Sequence, residues 1–185
     1  MEIVEIIKQA GELLGLQNDI LILDDETKTE TEKLQNGEVK LLLNLLKFSV
    51  QELCTNYIPM IVSKSITTSN KKYNVGDLPN FISIQNVFKN GENIKVKIKN
   101  RCMNFEEDGN YEIEYKSYPT ISSLDDKIDF LSTFSPDVVV FGLCSYYTIT
   151  RGRFDEFVTF HEMYENKAKS IKDLKLFNLP QRSWM

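Results

Sequence analysis

The hydrophobic repeat of this chain changes period twice, and that change restricts the fold more than any single motif does. Over residues 2–14, Ile3, Ile6, Ile7, Ala10, Leu13 and Leu14 stand three or four apart, which puts them on one helical face, and Gly15 supplies a stop. A short apolar run, ILIL, follows, and the charged stretch DDETKTETE after it reads as a mobile loop, while Thr29 and Glu32 have the spacing of a capping box and predict a helix start. From Val39, the positions Leu43, Leu46, Val50, Leu53, Cys54 and Tyr57 predict a long central helix that stops at Pro59. Leu41, Leu42 and Leu45 widen its apolar stripe towards a second neighbour.

Beyond Pro59 the period falls to two. MIVSKSITTS is rich in β-branched residues, Ile94, Val96 and Ile98 alternate with Lys95, Lys97 and Lys99, and Tyr111, Ile113 and Tyr115 alternate with Glu112, Glu114 and Lys116. Asn90-Gly91 and Asp108-Gly109 suit tight hairpin turns, because both residues of such a turn take positive φ. This pattern predicts one antiparallel sheet over residues 60–117, with an apolar face and with lysines on one strand paired to glutamates on another.

Helical spacing returns after Pro119. Ser122 and Asp125 predict a short helix through Phe130, and Ser135-Pro136-Asp137 combines an N-cap, a proline at the first helical position and a carboxylate near the helix dipole. Residues 136–151 are apolar nearly all round, which marks the most buried helix, and Gly152 ends or bends it. Phe154, Phe157, Val158, His161, Tyr164, Ala168 and Ile171 then share one face of a last long helix. The expected fold is α+β and a single domain over 1–185. Residues 1–59 and 118–174 form a helical bundle of two N-terminal and two C-terminal main helices, 60–117 form an inserted antiparallel sheet, and 175–185 form a C-terminal tail.

Composition narrows the functional classes. The 185 residues carry a formal net charge of -5, which opposes unaided attraction to phosphate backbones or anionic membranes. The longest apolar stretch, VVVFGLC at 138–144, is far short of the ~20 residues of a membrane span. The amphipathic, acidic start MEIVEIIKQ differs from a secretory signal, so cytoplasmic synthesis is expected. Cys54, Cys102 and Cys144 are odd in number and far apart, and read as reduced, mostly buried thiols.

Chemistry-bearing patterns are sparse. A hydrolase would be built from the single histidine, His161, with Cys144 or a serine as nucleophile, yet His161 falls on an apolar helical stripe where a structural role is the commoner one. His161-Glu162 does not extend to HExxH, since no second histidine exists. The acidic groups Asp24 to Glu26, Glu106 to Asp108 and Asp125 to Asp126 lack calcium-loop spacing and read as solvated charge. No glycine pattern cradles phosphates, so no cofactor and no metal are implied. The basic cluster KNGENIKVKIKNR at 89–101 reads as a solvent face protecting a sheet edge, with a local phosphate or partner contact as the alternative. An apolar surplus remains in the leucines of 41–46 and in the tail, where Leu176, Phe177, Leu179, Pro180, Arg182 and Trp184 are the candidate partner-binding residues.

In its order of elements the chain resembles the head-to-tail adaptor proteins of tailed bacteriophages, the connector ring beneath the portal. The resemblance is carried by YEIEYKSYPTISSLDDKIDFLSTFSPDVVVFGLCSYYTITRGRFDEFVTFHEMYENKAKSI. There a strand ends at Tyr115 and Pro119, a proline-started apolar helix runs from Pro136 to Tyr147, Gly152 makes a joint, and Phe160, Tyr164 and Ala168 mark the closing helix. The block from Met60 to Lys116 departs from the family pattern. The resemblance implies a non-enzymatic virion protein of the phage neck. It implies a homo-oligomeric, usually dodecameric, ring that binds the portal on one side and a stopper or tail protein on the other, while double-stranded DNA passes without specific binding. The alternatives from the residues themselves are a small cytoplasmic enzyme using Cys144 and His161, or a bacterial protein-interaction module.

Overall fold

The computed structural model describes residues 1–128 and 136–177, with side chains through Lys172 in the last helix. Helices and antiparallel strands are segregated along the chain, giving the α+β class. Contacts divide the chain into two compact units, Met1–Ile58 with Ile121–Met185, and Pro59–Thr120.

The helical unit opens with α1 (Ile3–Leu13), whose Ile3, Ile6, Ile7 and Ala10 are buried. Gly15 at φ 74 closes it: its N–H donates to the Glu12 carbonyl and the Leu16 N–H to that of Gly11, a Schellman motif. The ILIL run forms helical turns, α2 (Gln17–Ile20) and a 3-10 turn at Leu21–Asp24, which bury Ile20 and Leu23 ahead of the loop at residues 25–29. Thr29 and Glu32 form the expected capping box, but α3 (Glu30–Lys33) is one turn long. Asn36 starts a separate helix by accepting from the Glu38 and Val39 N–H groups at 2.9 and 3.2 Å. That helix, α4 (Gly37–Asn56), buries the predicted stripe of Val39, Leu43, Leu46, Val50, Leu53 and Cys54, with Leu42 and Leu45 beside it.

The most buried helix is α5 (Asp137–Thr150), as its composition predicts. It packs against α1, α4 and the last helix, α6 (Phe154–Phe177). Glu38 at the start of α4 pairs with Arg151 just past the end of α5, while Ser49 faces Gly142, so these two helices run antiparallel. Ser145 meets His161 and Asp137 meets Lys167, which makes α5 and α6 an antiparallel hairpin. Gly152 at φ 70 joins them through a second Schellman motif, with Arg153 N–H donating to the Thr148 carbonyl at 2.8 Å.

The short helix expected from Ser122 does not form. Asp126 accepts from the Ser122 and Ser123 N–H groups at 2.7 and 2.9 Å, making a turn, and Lys127 then bridges Glu2 as isolated antiparallel pairing. The carboxylate satisfies donors that a helix would otherwise use. Phe130 and Ser135 lie outside the described residues.

In the second unit the single expected sheet is two. A four-stranded sheet has the order β1 (Met60–Thr67), β7 (Asn110–Ser117), β3 (Phe81–Lys89), β4 (Glu92–Asn93), and a three-stranded sheet has the order β2 (Lys72–Asn74), β6 (Cys102–Asn104), β5 (Lys97–Lys99). Their shared core includes Ile66, Val87, Met103, Phe105, Tyr111, Ile113 and Tyr115. The lysine stretch predicted as one strand is broken between β4 and β5, because Ile94 and Val96 turn in to pack on this core. Ile98 on β5 stays half exposed. The expected lysine–glutamate pairs across strands are replaced: Glu112 accepts from Ser63 Oγ at 2.6 Å and Glu114 from Asn86 Nδ2 at 2.8 Å.

Asn90-Gly91 makes its predicted two-residue hairpin, with φ of 52 and 84 and Lys89 opposite Glu92. Asp108-Gly109 does not, since it links β6 and β7, which belong to different sheets; Asp108 accepts from Lys71 N–H at 2.6 Å there. Two further turns of the same positive-φ kind occur at Asn70-Lys71 and Asn100-Arg101. Asparagine tolerates the left-handed region through local hydrogen bonding, which explains its place at the head of all three.

Candidate interaction surfaces

The thiol and imidazole that an enzyme would use are not brought to each other. Cys144 is buried in α5, its thiol faces the Ala10 carbonyl at 3.9 Å, and burial pushes it up to about 12, the opposite of an activated nucleophile. His161 on α6 meets Ser145 instead, with Nδ1 3.4 Å from Oγ, and its Nε2 lies 3.7 Å from Glu165 Oε1. Phe157 stacks on the imidazole at 5.1 Å between ring centroids. Ser, His and Glu therefore stand in a row, but Ser145 sits mid-helix, where backbone N–H groups are committed to helical bonds and none is free to hold an oxyanion. Glu165 is engaged by Lys169 at 2.6 Å, which holds its carboxyl below the ordinary range.

Beneath this row lies a close-packed polar contact. Ser49 Oγ and Tyr164 OH are both buried without a hydrogen-bond partner, and burial with the charge of Glu52 raises the Tyr164 phenol. Tyr146 donates to Glu52 at 3.1 Å, and its phenol is pushed up to about 12 by burial and by that carboxylate. Among the described residues, no three of His, Cys, Asp and Glu come together as a metal site, and no helix is long and apolar enough to cross a membrane.

The features that stand out are surfaces. The sequence places Phe154 and Val158 on the buried stripe of α6, but they are 66% and 54% exposed, because the stripe that α6 buries is centred on Tyr164, Ala168 and Ile171 and these two lie at its edge. Arg153 anchors this end by donating to the Leu14 carbonyl at 3.3 Å, which brings Phe154 beside the end of α1, where Leu13 is 50% exposed. Phe48 on α4 and Ile149 on α5 are exposed as well, at different levels of the antiparallel pair: Phe48 beside the Ser49–Gly142 contact and Ile149 near the Glu38–Arg151 end.

In the strand unit, Val75, Gly76, Leu78, Phe81, Ile98 and Arg101 line an open cleft of about 400 Å³. The predicted partner-binding residues Leu179, Pro180, Arg182 and Trp184 lie outside the described residues, and for Leu176 and Phe177 only the helical backbone is described. Sequence reasoning missed the exposure of Phe154 and Val158 because helical spacing alone cannot tell the covered part of a stripe from its edge. No protein-family model matches this sequence, and no curated protein matches it.

Proposed function

We propose that this chain is a non-catalytic, ring-forming adaptor of the neck of a tailed bacteriophage, joining the portal to a stopper or tail protein. The observation that carries the reading is that large apolar side chains stay exposed at several places on a helical unit whose core is already filled: Leu13 at the end of α1, Phe154 and Val158 at the start of α6, Phe48 on α4 and Ile149 on α5. Subunits of a cyclic ring meet head to tail, so each needs two different complementary patches, whereas a monomer gains nothing from holding large apolar groups in water. The layout of helices around an inserted strand unit agrees with the resemblance of the sequence to that class. The tail residues Leu176, Phe177, Leu179, Pro180, Arg182 and Trp184 supply a further contact to the portal or the next subunit in this reading.

The test is assembly. Purified chain is examined by native mass spectrometry alone and with a portal protein from the same source genome, and purified particles are assayed for the polypeptide and its copy number relative to the portal. A closed oligomer that Phe154→Ser with Val158→Ser disrupts, while the circular dichroism spectrum is unchanged, supports the reading. A chain that stays monomeric with the portal present and is absent from particles overturns it.

A further inference from the structure

The three-stranded sheet has one face with no acidic residue and several unpaired lysines. In its register Lys72 lies opposite Asn104, which lies opposite Lys97, and Asn74 lies opposite Cys102, which lies opposite Lys99. Residues two apart in a strand share a face, so Lys72, Asn74, Cys102, Asn104, Lys97 and Lys99 all stand on one side, and Tyr73, Met103 and Ile98 on the other. Lys72, Lys97 and Lys99 are exposed and none forms an ion pair among the described residues. Arg101, in the turn joining β5 and β6, is exposed and unpaired as well.

This arrangement sits in a unit whose charge differs from that of the rest. Residues 59–120 hold nine basic and seven acidic residues, whereas the remainder holds thirteen basic and twenty acidic. None of the seven acids lies on the strands of this sheet: Glu107 pairs with Lys89, Asp108 accepts from the Lys71 N–H, Glu92, Glu112 and Glu114 lie on the other sheet, and Asp77 and Glu106 follow β2 and β6 in turns outside the strands.

We propose that this face binds the sugar-phosphate backbone of duplex nucleic acid, weakly and without regard to sequence. Its strand spacing holds Lys72 and Lys97 roughly 10 Å apart and Lys97 and Lys99 roughly 7 Å apart, a small plane of positive charge with the Asn74 amide at its edge as a hydrogen-bond donor, while the Asn104 amide between the strands donates to the Lys97 and Cys102 carbonyls. Phosphate contacts need only that combination. The face carries no aromatic side chain on which an unpaired base could stack, which disfavours single strands, and no large apolar side chain to enter a lipid surface. The inference rests on the charge distribution alone and stands apart from the ring-assembly reading.

Fluorescence anisotropy of the full chain with a labelled duplex DNA, read at 50 and 200 mM salt, tests it. Neutralising about three phosphates predicts a log–log salt slope of about -2.7, so affinity falls about 40-fold over that fourfold change in salt. The triple variant Lys72→Gln, Lys97→Gln, Lys99→Gln abolishes binding at 50 mM. The control Lys40→Gln, Lys47→Gln, Lys172→Gln, which removes the same charge from helices, binds like the parent. No binding by the parent at 50 mM overturns the proposal, as does equal loss in both variants. Equal binding of the parent to anionic phospholipid vesicles, lost in the same triple variant, also overturns the duplex assignment.

Discussion

Ser49 on α4 sits directly against Gly142 on α5, so that a Cβ at residue 142 would overlap Ser49 Oγ and lie 3.1 Å from the Tyr164 ring. The close approach of three helices depends on this missing methyl group. In an open helix, replacing glycine by alanine stabilises by about 1 kcal/mol. Here Gly142→Ala is expected to destabilise by about 1–3 kcal/mol through overpacking. Ser49→Ala alone is expected to be nearly neutral, since its hydroxyl has no partner to lose, and in the Gly142→Ala background it recovers most of the loss. Urea unfolding of the four proteins measures the cycle, and additivity within about 0.3 kcal/mol would reject direct packing of the two residues.

The three cysteines differ in exposure, and their reactivity follows. Cys54 and Cys144 are buried while Cys102 on β6 is partly exposed. At neutral pH a thiol held near 12 is ionised at least ~1,000-fold less than an ordinary one. Titration of the native protein with a chromogenic disulfide is expected to show one thiol reacting readily and two reacting only on denaturation. Rapid modification of Cys144 near neutral pH would contradict its burial.

Acid is expected to loosen several local structures together. Glu2, Glu32, Glu107 and Glu165 are held below the ordinary value of 4.5 by Lys127, by the Thr29 N–H, by Lys89 and by Lys169 in turn. A carboxyl whose folded value lies below its unfolded one stabilises fully above the unfolded value, and that stabilisation disappears as pH falls through the folded value. Melting temperature is therefore expected to hold steady down to about pH 5 and to decline below 4.5. The groups are exposed, so the decline is shallow and weaker in high salt. A melting temperature that rises on acidification below 4.5 contradicts this.

Lys71 occupies φ 57 in the turn between Ser69 and Lys72, a conformation that costs a side-chain-bearing residue about 1 kcal/mol. Lys71→Gly keeps the N–H that donates to Asp108 and removes that cost, partly offset by the freedom glycine has when unfolded. A gain of about 0.5 kcal/mol in denaturant unfolding is the expected result. A loss would mean that the lysine side chain contributes to the turn.

What was legible in the sequence followed from local chemistry. Gly15 and Gly152 stop helices because only a residue free to take positive φ completes a Schellman motif, and Asn90-Gly91 closes a hairpin for the same reason. The elements that were misread depend on partners distant in sequence. Asp108-Gly109 has hairpin composition, but its flanking strands pair with others, so it became a link between sheets. Ile94, Val96 and Ile98 alternate like a strand, yet the core takes the first two and leaves the third out. Phe154 and Val158 have the spacing of buried residues, yet α6 buries a narrower stripe through Tyr164, Ala168 and Ile171 and leaves these two exposed. The basic sheet face was visible as a run of lysines, but its completion by Lys72 from another strand needed the register.

The pairing of Met60 with Ser117 makes the first and last strand residues of the inserted unit neighbours across one ladder. A polypeptide that departs and comes home through adjacent doors leaves little gap behind when the stretch between is taken away. The sheets are in effect a removable cassette, and a short flexible splice in their place leaves the helical packing around α5 with all of its own residues. Whatever this cassette recognises can thus be retuned or exchanged without repacking the scaffold that carries it.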